Sequence, residues 1–332
     1  MTQAPVPTAD TVRGLVRALV EESGSGGPGP EVRPVRAEEP AYTWWVGPRH
    51  VLRLAPDRDA SARQRRELRL RDLVRPHVPL ALPTGLAQGE WSPGLAYTLD
   101  TRLPGGTAEE HDVSAVGEAD LAGLLGGLRE VQPRQADALG VPRAAPRSLE
   151  ALRRMAVAAA RRLARADEFD AALLNQLTPP GAAQLAARPA PSVLVHHRLR
   201  GEHLVVSADG RVRGVLGWTD AVLGDPAEDI AGLALAVGSG AAVRAATLAG
   251  YGARPCLRGL WLARCDAVVR LAERLEGHGA DEPLPLLRNR LRRAWEAILL
   301  ERVTEFREDG DEGDDGDERD DGDEGDPAGD AV

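Results

Sequence analysis

Across Thr11 to Glu22 (TVRGLVRALVEE) the apolar residues Val12, Leu15, Leu19 and Val20 recur at helical spacing, predicting an amphipathic helix closed by the Ser23 to Pro30 run SGSGGPGP. Three short apolar runs follow, Val32 to Val35, Tyr42 to Val46 and His50 to Leu54, separated by turn-forming residues. They predict an antiparallel meander. Asp59 to Leu73 (DASARQRRELRLRDL) returns to helical character, and Ala87 to Leu103 predicts two more strands about the Ser92-Pro93-Gly94 turn. From Pro104-Gly105-Gly106 onward the period is mostly helical, with helices predicted at Glu118 to Val131, Leu149 to Ala166 and Phe169 to Leu177, then a proline-rich break at Pro179 to Pro191. A compact β segment, with runs at Val193 to Val195, Leu204 to Val206 and Arg211 to Leu216, precedes helices at Pro226 to Val237, Ala241 to Tyr251, Leu257 to Glu276 and Leu284 to Phe306. This order predicts an α+β chain: a small β-rich amino lobe over residues 1–103, a larger helical carboxyl lobe over 104–307, and a tail over 308–332.

Composition narrows the function. With 3% aromatics the core must be built from Ala, Leu and Val, and all 41 basic residues are arginines. The net charge of -10 is concentrated at one end: Glu308 to Asp330 hold fourteen acidic residues and one arginine, which leaves the remainder slightly positive. Such a body offers no case for nucleic-acid binding, which needs a clustered basic face. The tail cannot bury apolar area and is expected to stay disordered, solvating the protein or contacting a basic partner. It is no EF-hand, since no helix follows it. SGSGGPGP follows a helix rather than a strand and lacks G-K-[ST], so it reads as a flexible connection, not a phosphate loop. Cys256 and Cys265 have no C-x-x-C spacing and are expected to be buried thiols. No export signal and no membrane-length apolar run is present, so a cytoplasmic location is expected.

The stretch most informative of chemistry is Val193 to Val237, VLVHHRLRGEHLVVSADGRVRGVLGWTDAVLGDPAEDIAGLALAV. It resembles the aminoglycoside phosphotransferase family, and most its macrolide phosphotransferase branch, whose pattern runs V-H-G-D-L-x-x-x-H-[IV]-L-[IV]-D, then G-V-I-D-W-x-E-A, then D-P-A-x-D. His196 falls on the motif histidine, Leu199 on the leucine, His203 on the macrolide-branch histidine and Trp218 on the tryptophan. Asp220 falls on the acid that follows, and Gly224-Asp225-Pro226 with Asp229 match the last block. In the amino lobe, Arg53 in VLRL sits where the family has a phosphate-contacting Lys or Arg. Glu67 in QRRELRL sits where a helix supplies its carboxylate partner. Read alone, Glu67 is a surface residue among arginines. The resemblance covers about Val12 to Phe306 and implies a bilobal, protein-kinase-like fold, with ATP or GTP as the nucleotide.

The departures from the pattern bear on activity. Phosphoryl transfer needs a carboxylate to orient the attacking hydroxyl and carboxylates to hold magnesium. The family's catalytic aspartate falls on Arg198 and its metal-binding aspartate on Gly217. A guanidinium cannot serve as a base, a glycine has no ligand, and His203 alone is a poor ligand for an oxygen-preferring ion. Magnesium is therefore not expected to be held in the family's manner. His197, at the family's glycine position, can in principle accept a proton, and Asp220 can stand in as a metal ligand. The bland reading of His196 is a buried histidine that organises the loop. Arg198 either contacts a phosphate or pairs with an acid such as Asp220 or Asp225. In the family pattern Asp225 caps the helix opened by Pro226, and Asp229 bonds within the loop. Three functions follow as alternatives: a catalytically impaired relative that binds a nucleotide or small molecule, an active O-phosphotransferase using displaced acids, and a scaffold that displays the tail.

Overall fold

The computed structural model describes residues 6–22, 30–35, 41–186, 192–278 and 282–298. Most of the SGSGGPGP run and the whole acidic tail lie outside the described residues. The chain divides into two units, Met1–Glu296 and Ala297–Val332, and every element below belongs to the first.

The elements in chain order are α1 (Ala9–Glu22), β1 (Val32–Pro34), β2 (Thr43–Val46), β3 (His50–Leu54), α2 (Arg58–Val74), β4 (Gly85–Ser92), β5 (Leu95–Thr101) and β6 (Gly106–Thr107). Then come α3 (Ala115–Glu130), α4 (Pro133–Ala138), α5 (Leu149–Arg165), α6 (Pro179–Gln184), β7 (Val193–Val195), β8 (Leu204–Val206), β9 (Val212–Val215) and β10 (Val222–Gly224). Helices α7 (Ala227–Val237), α8 (Ser239–Leu248), α9 (Ala253–Leu275) and α10 (Leu284–Ala294) complete the unit. No helix among the described residues is long and apolar enough to cross a membrane.

Strands β1 to β5 form an antiparallel sheet in the order β1-β2-β3-β5-β4. Successive side chains of a strand point to opposite faces, so the sheet has two distinct sides. Trp44, Val46, Leu52 and Leu54 pack with Val12 and Val16 of α1 into one apolar cluster. The alternate positions of β3 and β5 carry Val51, Arg53, Thr98 and Asp100, with Val51 opposite Asp100 and Arg53 opposite Thr98. Helix α2 starts at Asp57, whose side chain accepts from the Ala60 N–H at 2.6 Å, and it buries Gln64, Glu67, Leu70 and Arg71.

The second half is helical, with α9 packed by α5, α7 and α10. Two short β units punctuate it and fix the loops that matter. Strand β7 pairs antiparallel with β10, and β8 pairs with both β9 and β6, so residues 196–203 and 216–221 are each tethered at both ends. The described elements thus form an antiparallel sheet region followed by a helical region, the α+β arrangement expected.

The boundaries differ from the expectation where sequence signals are weak. The Pro179 to Pro191 stretch, expected as a break, opens as α6, because Pro179 and Pro180 suit the first turn and Thr178 caps it through the Gly181 N–H at 3.1 Å. Phe169 to Leu177, expected as a helix, forms only a short 3-10 turn over Ala171–Gln176. Strands β6 and β10 and the helix α4 are too short to carry a period. The last helix, expected over Leu284 to Phe306, ends at Ala294, and residues 299–306 lie outside the described residues.

Candidate functional site

A cavity of about 520 Å³ lies between the inner face of the sheet and the β8–β9 region, lined among others by Trp45, Val51, Arg53, Asp100, His203 and Gly217. At its back, four charges alternate. Arg53 donates from Nη1 to Glu67 Oε2 at 2.7 Å and from Nε to Asp100 Oδ2 at 3.2 Å, and Arg71 donates to Asp100 Oδ1 at 2.7 Å. Glu67 also accepts from the Thr219 hydroxyl at 2.7 Å, which ties α2 to the loop before β10. Glu67, Arg71 and Asp100 are buried. Burial alone would push the Glu67 carboxyl up, yet the Arg53 and Arg71 guanidiniums and the two hydrogen bonds carry it below its ordinary range. Arg53 is raised in turn: its desolvation is outweighed by Glu67 and Asp100. Arg53 Nη2 lies 3.1 Å from Asp100 Oδ2, an ion-pair contact without hydrogen-bond geometry. At the cavity wall the Arg102 guanidinium stacks 4.2 Å from the Trp45 ring centroid.

The loop between β7 and β8 holds the histidines and Arg198. Asp229, in the first turn of α7, accepts from the backbone N–H groups of His196 and His197, each at 2.8 Å. Asp225 Oδ1 accepts from the Ala227 N–H at 3.0 Å, and its Oδ2 accepts from Arg258 Nε at 2.5 Å. Both acids are thus spent on the backbone and on Arg258. His196 is fully buried, donates from Nε2 to the Leu216 carbonyl at 2.8 Å, and packs edge-on against Trp218 at 4.7 Å. It has no route to a reacting group. His197 adopts φ +68°, a conformation few non-glycine residues take, with its side chain exposed.

Arg198 and Asp220 meet directly, Nη1 to Oδ2 at 3.0 Å, on the surface of the loops. His203 Nδ1 faces the Arg198 carbonyl at 2.5 Å, and since a carbonyl only accepts, Nδ1 carries the proton. Burial, outweighing the raising effects of Glu202 and that carbonyl, lowers the His203 pKa, and the ring is neutral near pH 7. Gly217 has φ +77°, and a Cβ built on it would lie 2.5 Å from His203 Cδ2 and 2.7 Å from Nε2. The imidazole therefore fills the space that a side chain at 217 would need. The candidate residues fall into two groups: Arg53, Glu67, His203 and Gly217 share the cleft, whereas His197, Arg198 and Asp220 face a second cavity beyond the loop. Sequence reading missed Asp100 and Thr219. A lone acid in the apolar strand LAYTLDT is the one signal that singles out Asp100.

Two buried groups give the fold opposing pH responses. Burial, with help from His203, pushes His196 down to about 3, so its contribution is fully present above pH 6.5 and is lost as pH falls toward 3. Burial raises Asp229 to about 7, so its contribution declines as pH rises from about 4 to 7. Replacing His196 with Gln removes the first response and leaves the second. The destabilisation caused by His196→Gln should therefore shrink by about 2 kcal/mol between pH 7 and pH 5, at about 1.4 kcal/mol per pH unit. Urea unfolding of both proteins at the two pH values measures it, and a pH-independent difference would mean that His196 titrates normally in the fold.

A family model described as "Phosphotransferase enzyme family" matches residues 31–260. The GDP complex of wild-type aminoglycoside 2'-phosphotransferase-IIIa superposes with a TM-score of 0.60 at 17% identity, covering 84% of this chain and 98% of that one. Macrolide 2'-phosphotransferase MphH from Brachybacterium faecium gives 0.52 at 22% identity, covering 83% and 97%. Macrolide 2'-phosphotransferase type I gives 0.53 at 20%, covering 86% and 98%. A comparison with curated proteins by sequence finds no match.

Proposed function

Since the chain belongs to the phosphotransferase enzyme family, we propose that it is a member that binds without transferring phosphate, a pseudo-phosphotransferase whose cleft takes a nucleotide or small molecule. The observation that carries this reading is that a guanidinium, Arg198, occupies the position where the resemblance expects a base and faces the second cavity, while in the cleft the side-chain space of Gly217 is filled by His203. An active ATP- or GTP-dependent enzyme with displaced acids would need a carboxylate available to take a proton or hold magnesium. Asp225 is paired with Arg258 and Asp229 with two backbone N–H groups, and Asp220 lines the second cavity rather than the cleft.

The residues present do not fit a magnesium site of the family's kind. Magnesium favours octahedral oxygen ligation. Here the donors are one imidazole, a glycine and a carboxylate already bound to a guanidinium, and no cluster of three or more His, Cys, Asp or Glu side chains among the described residues could hold a metal ion. A nucleotide fits better. The cavity has the size of a small-molecule site, apolar Val51 and Leu103 line it, and the Arg53 and Arg102 guanidiniums on its wall supply charge for a phosphate oxygen.

Isothermal titration of the full chain with ATP and with GTP, with and without magnesium, tests this. At least one nucleotide should bind, with an affinity that magnesium changes by less than about tenfold, or 1.4 kcal/mol. Binding that requires magnesium, or no binding of either nucleotide, would contradict it.

A further inference from the structure

On the far side of the Arg198 loop lies a second cavity, of about 590 Å³. Six arginines line it (Arg63, Arg66, Arg147, Arg198, Arg200 and Arg270) against three carboxylates, those of Asp220, Glu228 and Asp266. The carboxylates are unevenly shared. Arg147 takes two of them, bonding Glu228 from Nε at 2.9 Å and from Nη2 at 2.7 Å, and Asp266 from Nη1 at 2.8 Å. Asp220 pairs with Arg198. Arg200 and Arg270 both lean on Glu282, at 3.6 and 3.4 Å, and Arg200 also on Glu202 at 3.9 Å, two acids that do not line the cavity.

Arg63 and Arg66, one turn apart on α2, form no ion pair among the described residues; Arg66 donates only to the Gly140 and Thr219 carbonyls. Burial first, then Arg63, holds Arg66 below its ordinary value against the attraction of Asp220, and burial, then Arg270 and Arg198, does the same to Arg200 against Glu282 and Glu202. A walled pocket with more guanidinium than carboxylate is an anion receptor, and guanidinium suits oxyanions because it donates two parallel hydrogen bonds. The Arg198–Asp220 pair is no obstacle: both side chains are about two-fifths exposed or more, and exposed pairs hold each other by only about 0–1 kcal/mol.

We propose that this cavity is a binding site for a small multivalent oxyanion, a molecule bearing phosphate or carboxylate groups, with Arg63, Arg66 and Arg198 as its contacts. A polycationic ligand is repelled by the same surface. The inference deepens the binding role proposed above by naming a ligand class, and it rests on that reading only in treating the chain as a binding protein. The cavity is separate from the nucleotide cleft, so the two ideas fail separately.

The full chain, free of metal and at low ionic strength, is titrated calorimetrically with citrate, with inorganic pyrophosphate and with kanamycin. Citrate or pyrophosphate should bind saturably, and which of them binds tells carboxylate from phosphate ligands; kanamycin should not bind. The double variant Arg63→Gln/Arg66→Gln should weaken binding at least about tenfold, the loss of charge-assisted hydrogen bonds. Arg65→Gln removes the same charge from an exposed position on the same helix that lines neither cavity, and should leave affinity unchanged. Were the double variant to melt early, Arg198→Gln, which breaks only a surface pair, carries the same test. The proposal is overturned by a failure of both anions to bind, by undiminished binding in the contact variants, by an equal loss in Arg65→Gln, or by preferential binding of kanamycin. Loss of ATP and GTP binding with anion binding intact would count against the nucleotide cleft alone.

Discussion

Replacing Asp100 with Ala is expected to destabilise the protein by about 3–5 kcal/mol, the range for removing one partner from a buried ion pair. Asp100 is 3% exposed and serves two guanidiniums, and Arg71, 1% exposed, has no other ion pair among the described residues. The variant therefore leaves the buried Arg71 with only the longer-range attraction of Glu67, whereas Arg53 keeps its direct bond to Glu67. Denaturant unfolding at pH 7 reads the loss. The double variant Asp100→Leu/Arg71→Met should recover most of it, because two apolar side chains need no counter-charge. A loss under about 1 kcal/mol in Asp100→Ala would show that water reaches Arg71 and solvates it.

That network also marks where the sequence stopped being informative. Glu67 is legible as a partner for Arg53 only through the resemblance, which pairs a strand cation with a helix carboxylate; the two side chains lie 2.7 Å apart, and Glu67 is buried rather than on the surface, as the residue read alone suggests. Asp100 is not legible, because its approach to Arg53 and Arg71 depends on the β3–β5 register, which places Val51 opposite Asp100. The segment from His196 to Asp229 is legible as one unit because its spacing follows the family pattern without a break. Its consequences are not: two acids within reach of Arg198 in the sequence were open as partners, and only the folded loops give Asp220 to Arg198 and Asp225 to Arg258. The arginine-walled cavity was invisible for a related reason. In a chain whose basic residues are all arginine, no single one stands out, and the excess appears only when α2, the Arg198 loop and α9 are brought together.

Antibiotic phosphotransfer is expected to be slower than ordinary kinase turnover by at least about 10⁴-fold. Loss of a general base typically costs about 10²- to 10⁴-fold, and loss of metal charge stabilisation adds several kcal/mol. The loss at position 217 is built into the backbone as well as into the side chain. The double variant Arg198→Asp/Gly217→Asp should not restore activity, because a Cβ at 217 would collide with the His203 ring on a left-handed backbone at φ +77°. Adding an acid at one position therefore means moving another residue.

The most direct measurement is a phosphate-transfer assay with γ-labelled ATP and GTP, saturating magnesium, and a panel of hydroxylated aminoglycosides and macrolides as acceptors. Transfer below about 10⁻² per second for every pair is the predicted result. Turnover at about 1–100 per second with any acceptor would contradict it and return the protein to the active enzymes of its family.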